Sequence, residues 1–295
     1  MSGRRDDAMT ITAETGLCAV IGHPVGHSLS PAMHNAAFRA AGLNFVYLAF
    51  DVTDVAACLN GMRALPSFRG LSVTIPHKMA VMPHLDEVTP MARLVGCVNT
   101  VTNQGGRLIG SVTDGAGTLR AFAAAEVQLQ GQRILFLGAG GAVRAVAYAM
   151  ALHAAPHCIT ILGRTPGKVR TLAEDLRRDA SVPIATGCLA DDLTGSLASH
   201  DIIIQGTPVG MHGHDEGSSP VPGNLLRPEH VIFDMVYRPR LTPLLKNAVR
   251  AGCRTIPGSD MLLHQAIIQF ETWTDLPAPV DAMRDALDLA LNQGL

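Results

Sequence analysis

The chain has no surplus of positive charge. Its 23 Lys and Arg face 25 Asp and Glu, giving a net charge of -2 and a pI of about 6.6 over 295 residues. Nucleic acid and anionic membrane surfaces are held by an excess of Lys and Arg, so neither is expected as a partner. Close cysteine pairs are also missing. Cys18, Cys58, Cys97, Cys158, Cys188 and Cys253 are scattered, with no CxxC, whereas metal sites and disulfide frameworks show short, repeated spacings. They read as small buried hydrophobes in a reducing compartment. No apolar run reaches the roughly 18 residues of a membrane span. The start, MSGRRDDAMT, has no apolar stretch before Gly16, as a secretory leader would need. The expectation is a cytoplasmic protein, not bound to membrane, whose residues 1–15 form a flexible tail. The 47% of hydrophobic and 16% of charged residues suffice for a sizeable core and argue against disorder. The length allows two modest domains or one large one.

Strand and helix signals alternate along the chain. LCAVI (17–21) reads as a buried strand. After the loop GHPVGHSLSP, Ser30 is placed to cap a helix with Pro31 at its first position, and Gly42 ends it. A strand FVYLAF (45–50), a helix over about 55–65 and a strand GLSVTI ending at Ile75 come next. Pro76-His77-Lys78 is expected to break that strand and start a helix. A helix over 87–95, a strand over 98–103 and RLIGSV after the Gly105-Gly106 turn complete a segment with a mostly parallel sheet. A second series runs through RILFL (133–137), GAGGAVR, a long helix, CITIL (158–162), DIIIQ (201–205) and HVIFDMV (230–236). From about Gly258 two helices remain, without a strand of their own.

Gly138, Gly140 and Gly141 sit between a strand and a helix. Such a loop lets backbone approach a pyrophosphate, whose charge the helix N-terminus favours. The plainer alternative is a structural turn, and Val143 holds the third glycine position of the usual GxGxxG. At the end of the next strand an NAD enzyme offers a carboxylate to the ribose. Here stand Gly163, Arg164 and Thr165, with Lys168 close behind. Cations suit a ribose 2′-phosphate, so NADP is expected rather than NAD. A solvated helix start is the alternative, although a cation is unfavourable at that end of a helix.

Polar residues gather at strand ends and loops in the first segment: Ser28, Ser30, Thr74, Lys78, Asn99 and Asp114. Converging hydroxyl and amide groups suit a polyhydroxylated ligand, since each group left unpaired costs affinity. Each residue also has an ordinary reading: Ser30 and Asp114 as helix caps, Lys78 as a solvated lysine, Asn99 as a turn residue. His23 and His27 cannot share a helical face across Pro24 and Gly26. A metal there, or at His212, His214 and Asp215, is not expected. His77 is assigned to packing or surface.

SLSP (28–31), SVTIPHK (72–78), VGCVNT (95–100), TDGAG (113–117), GAGGA (138–142), FDMVY (233–237) and MLLHQ (261–265) occur in this order. Together they resemble the shikimate dehydrogenase family, over residues from about 18 to 290. The resemblance implies an α/β fold of two domains: an N-terminal α/β substrate-binding domain, residues 16–118 completed by C-terminal helices 256–295, and a Rossmann-like NADP-binding domain, residues 119–255. It implies reversible, NADP-dependent reduction of 3-dehydroshikimate to shikimate, a step toward the aromatic amino acids, by a monomer or homodimer. Ser28 and Ser30 would bind the substrate carboxylate. Thr74, Asn99 and Gln265 would hold its hydroxyls, with Tyr237 helping to close the site. Lys78 and Asp114 would be the catalytic pair. Gly138, Ala139, Gly140, Gly141 and Ala142 would hold the pyrophosphate. Arg164, Thr165 and Lys168 would take the 2′-phosphate, and Thr207, Met235 and Gly258 would line the cofactor.

The chain departs from the family pattern at Ser72, where Asn is frequent, and at Val112, which replaces a polar residue before Thr113. Gly163 precedes Arg164 in place of Asn, and Asp260 stands where Gly is common. Preference for quinate, an amino analogue or NAD is the near alternative; a silent NADP- or metabolite-binding sensor is the distant one.

Overall fold

The structure is a computed structural model that describes residues 10–293. Of the tail expected over residues 1–15, residues 1–9 lie outside the described residues. Thr12 and Thr15 are tied to the body: the Thr15 hydroxyl donates to Asn44 Oδ1 at 2.7 Å, and Asn44 Nδ2 donates to Thr12 Oγ1. The described residues divide into two compact units, one running to Val112 and resuming at Ala266, the other Thr113–Gln265.

The first unit carries β1 (Gly16–Gly22), α1 (Ser30–Ala40), β2 (Phe45–Asp51), α2 (Val55–Arg63), β3 (Phe68–Val73), β4 (Glu87–Val88), α3 (Pro90–Val95), β5 (Thr100–Gln104) and β6 (Arg107–Ser111). Helix α10 (Val280–Gln293) packs along α1. The sheet order is β2-β1-β3-β5-β6-β4. The sequence led to a mostly parallel sheet; it is mixed. β1 pairs parallel with β2 and β3, but the Gly105-Gly106 hairpin folds β6 back on β5, and β5 runs antiparallel to β3. The consequence for function is that the start of β5 lies beside the end of β3.

Two expected helices take another form. Residues after Pro76 make turns and a short 3-10 stretch, Met82–His84. Pro83 would interrupt a helical ladder, and the Lys78 carbonyl accepts from Val98 N at 2.8 Å instead. The helix expected over 87–95 begins only at Pro90. Thr89 is extended (φ -61°, ψ 153°), as a residue before proline tends to be, and Glu87–Val88 pairs with β6.

Few as they are, the aromatic rings concentrate in this unit. His34 stacks on Tyr47 with ring centroids 4.4 Å apart, Trp273 lies 5.2 Å from His34, and Phe38 meets Phe45 and Phe270. The cluster joins α1 and β2 to the end of α9 (Gly258–Thr274). Losing a buried ring such as Phe270 costs about 3–5 kcal/mol. Gly70 makes room for Trp273, whose Nε1 would stand 2.0 Å from any Cβ there.

The second unit holds α4 (Asp114–Ala124), β7 (Arg133–Leu137), α5 (Gly141–His153), β8 (Cys158–Gly163), α6 (Pro166–Asp179), β9 (Ile184–Cys188), α7 (Leu189–Ser199), β10 (Ile202–Gln205), β11 (Val231–Asp234), α8 (Pro243–Arg250) and β12 (Arg254–Pro257). Its sheet is parallel throughout, in the order β12-β11-β10-β7-β8-β9. This doubly wound order is that of a dinucleotide-binding sheet, with its switch point between the first strand, β7, and β10. Every β7 residue after Arg133 is buried, as a strand covered on both faces requires. In this unit α4 packs on α5, and Phe122 meets Phe233 of β11 edge to face at 5.5 Å.

Candidate active site

In the first unit the expected substrate residues converge on the carboxyl ends of β1 and β3 and the start of β5, where open α/β sheets place their ligands. Ser28 and Ser30 come after β1. Ser30 was expected to cap α1; instead it is the first helical residue, no side chain caps the helix, and the Ser30 amide donates to Ser28 Oγ at 3.3 Å. Ser30 is buried and Ser28 half-buried. Thr74 comes after β3, and its methyl rests over Gly22, where a Cβ would come within 2.5 Å of it. Gly22 at the end of β1 is therefore what admits the Thr74 side chain.

Lys78 is half-buried, on a turn pinned at several points. His77 N donates to the Thr74 carbonyl at 2.9 Å, Val98 N donates to the Lys78 carbonyl, and Val81 N donates to the His77 carbonyl. His77 is a buried anchor: its Nε2 bonds the Val52 carbonyl at 2.7 Å. Asn99 is 2% exposed and borders β3 through Val73 N, which donates to its carbonyl at 2.8 Å.

In the second unit Asp114 is buried in the first turn of α4. No side chain caps this helix; Thr113 holds the cap position. An acidic residue there lies at the positive end of the helix dipole. The two glycines of TDGAG explain the close seating of α4. A Cβ on Gly115 would stand 2.6 Å from the Ala145 carbonyl oxygen on α5, and one on Gly117 would stand 2.7 Å from Gln265 N on α9.

The glycine loop leaves β7 at the switch point. Gly138 has φ 110° and donates to the Leu162 carbonyl at 2.7 Å. Ala139 and Ala142 are half-buried beside it. Gly140 is the N-cap of α5 and no side chain caps it; a Cβ on Gly140 or Gly141 would meet nothing within 4 Å. The first-turn amides of this helix and the clear space before them fit an anionic pyrophosphate. Val143 fits where glycine is usual because the space is made on the other side. A Cβ on Gly206 would stand 2.1 Å from Val143 Cγ2 and 3.1 Å from Met235 Sδ. Thr207 is held by Gln205, whose Nε2 donates to its hydroxyl at 2.8 Å. Gly258 lies against the Met235 carbonyl with no room for a side chain, a Cβ there being 2.7 Å away.

Beyond β8, Arg164, Thr165 and Lys168 are exposed around the start of α6. Among the described residues neither cation has a carboxylate partner. Gly163 is explained by packing, since its Cβ would reach Val169 Cγ2 at 2.6 Å. At the end of β11 the buried Asp234 accepts from Val236 N at 3.0 Å and from the Thr242 hydroxyl at 2.6 Å. It thereby fixes the loop that carries Met235 and the half-buried Tyr237. Burial pushes its carboxyl up to about 6.

Among the described residues no group of three or more His, Cys, Asp or Glu could hold a metal ion. His23 pairs with Asp51 at 2.5 Å and His212 with Glu216 at 2.9 Å. All six cysteines are unbridged, and no helix of the described residues is long and apolar enough to cross a membrane.

Comparison with known proteins gives this arrangement a family. The family described as "Shikimate dehydrogenase substrate binding domain" matches residues 20–101, "Shikimate / quinate 5-dehydrogenase" matches 121–211, and "Shikimate 5'-dehydrogenase C-terminal domain" matches 258–287. A protein from Moorella thermoacetica named shikimate dehydrogenase (NADP(+)) is 44% identical over 285 residues, 95% of each chain. The chain belongs to the shikimate dehydrogenase family. Two solved members share its fold. Shikimate 5-dehydrogenase from Listeria monocytogenes, in complex with shikimate and NAD, has a TM-score of 0.88 and 36% identity, covering 97% of this chain and 99% of that one. Quinate dehydrogenase from Corynebacterium glutamicum, in complex with NAD, has a TM-score of 0.87 and 30% identity, covering 93% and 99%. Sequence reasoning assigned His77 to packing or surface, and it is packed; it missed Asp234, whose place inside the motif FDMVY was the available signal.

Proposed function

We propose that this family member is an NADP-dependent shikimate dehydrogenase, interconverting 3-dehydroshikimate and shikimate in a reducing, cytoplasmic setting. The observation that carries the reading is the gathering of Ser28, Ser30, Thr74, Lys78 and Asn99 at the ends of β1 and β3 and the start of β5. One basic group stands there among hydroxyls and an amide. The uncountered cations Arg164 and Lys168 support NADP over NAD. So does the name of the Moorella relative.

Ser28 and Ser30 donate hydroxyl protons to the substrate carboxylate. Thr74, Asn99 and Gln265 hold the ring hydroxyls, and Tyr237 is a further substrate-binding residue. When bound, NADPH supplies the hydride. As charge builds on the substrate carbonyl oxygen, the Lys78 ammonium stabilises it and delivers the proton. In the reverse direction neutral Lys78 accepts the hydroxyl proton. Asp114 is the second catalytic residue, a carboxylate. The amides at the start of α5 hold the pyrophosphate, and Arg164, Thr165 and Lys168 hold the 2′-phosphate. Initial rates with shikimate and quinate, each with NADP and NAD, test the assignment. The expected result is a kcat/KM highest for shikimate with NADP; a preference for quinate or NAD would redirect it, and ligand binding without turnover would make the chain a sensor.

A further inference from the structure

A single chain of buried hydrogen bonds runs behind the substrate residues. The Tyr47 hydroxyl donates to Ser72 Oγ at 2.6 Å, and Ser72 Oγ donates to Gln269 Oε1 at 2.9 Å. Gln269 Nε2 donates to Thr100 Oγ1 at 2.9 Å and to the Asn99 carbonyl at 3.3 Å. Thr100 Oγ1 donates to Asn99 Oδ1 at 2.9 Å. None of these residues is more than 6% exposed, and Gln269 and Thr100 are 1% and 0% exposed.

The orientation of the Gln269 amide is fixed by its backbone partner. A backbone carbonyl only accepts, so the Asn99 carbonyl fixes which end of the Gln269 amide faces β5. Gln269 Oε1 must then face Ser72, which spends its one proton there while accepting from Tyr47. At the other end the Thr100 hydroxyl accepts from Gln269 and donates to Asn99 Oδ1. An amide torsion is soft and two-fold, and a turned amide would present an acceptor where a donor belongs. With its oxygen held by Thr100, Asn99 keeps Nδ2 as its donating end. A substrate hydroxyl that meets this group is held by a donor and is positioned by the other groups it bonds.

We propose that Gln269 is a positioning residue for substrate-hydroxyl recognition, acting through Thr100 to set the amide of Asn99. This rests on Asn99 being a substrate-binding residue, as proposed above. Gln269 itself need not touch substrate. Neither composition nor motif spacing shows the role, because it depends on α9 lying across the β3–β5 pair.

Steady-state kinetics on Thr100→Val, Thr100→Ser and Gln269→Leu, alone and with Asn99→Ala, test the proposal. Valine matches threonine in shape and suits β5, so Thr100→Val removes the hydroxyl without disturbing the strand. The expected result is a shikimate KM raised about tenfold, the scale of one misdirected buried polar group. The KM for NADP and kcat stay within about twofold. Thr100→Ser keeps the hydroxyl and restores the wild-type KM. In the Asn99→Ala background neither Thr100→Val nor Gln269→Leu has a further effect. Thr100→Val with an unchanged shikimate KM, or losses that multiply with Asn99→Ala, would overturn the proposal while leaving the functional reading intact. A wild-type enzyme that does not turn over shikimate would overturn both.

Discussion

Asp234 offers a test of site architecture that needs no substrate. Its carboxyl is fully buried between Val236 N and the Thr242 hydroxyl, and burial raises it from 3.8 to about 6. A rise of that size corresponds to about 3 kcal/mol. The sign is set by the two states. Below about pH 4 the carboxyl is protonated in both the folded and the unfolded chain, and no cost arises. Above about pH 6 it is ionised in both, and only the folded chain bears the cost of a buried charge. Stability from this group is therefore full below pH 4 and lost as pH rises to 6. Asp234→Asn keeps an acceptor for Val236 N and removes the ionisation. Its amide meets the Thr242 hydroxyl less well, a loss of about 1 kcal/mol that does not change with pH. Subtracting wild type from variant cancels every other titrating group. Between pH 4 and 7.5 the variant should gain about 3 kcal/mol on the wild type, or about 6–12 °C in melting temperature. Thermal and urea unfolding of both proteins across that range measures it. Parallel stability curves would refute the reasoning, showing that the folded chain accommodates the ionised carboxylate without penalty.

Two further predictions address the cofactor side. Gly206→Ala places a methyl 2.1 Å from Val143 Cγ2, and a β-branched side chain on a helix has little freedom to turn away. The cost should be about 1–3 kcal/mol, with a raised KM for NADP. Adding Val143→Ala should recover most of both losses, as thermal unfolding and kinetics would show. Arg164→Ala with Lys168→Ala should raise the KM for NADP about tenfold to a hundredfold, as lost charge-assisted bonds do. The KM for NAD should move less than about twofold, and equal effects on the two cofactors would contradict a 2′-phosphate role.

The readable parts of the fold were those whose signal is local. RILFL before a glycine loop specifies a buried strand and a helix start without help from elsewhere, and β7 and α5 form there. β9 was not anticipated: Ile184–Cys188 contains Ala and Gly, and only Ile184 is buried. β12 is four residues long, too short for a period to show. Pro76 marked the end of β3 but not the turns after it, because the Lys78 carbonyl bonds a distant residue, Val98. The polar residues around Lys78 could be named from motifs. Asp234 and Gln269 could not be given roles, because each works through a partner brought by folding: Thr242 and Thr100. Val143, an anomaly in the glycine pattern, became intelligible only beside Gly206.

The central claim is that this chain oxidises and forms shikimate with Lys78 as the proton-transfer group. Steady-state oxidation of shikimate by NADP, compared between the wild type and Lys78→Ala, tests it most directly. The expected result is rapid wild-type turnover and a kcat lowered about 10²- to 10⁴-fold in the variant, with NADP binding retained. A variant that turns over near the wild-type rate would contradict it.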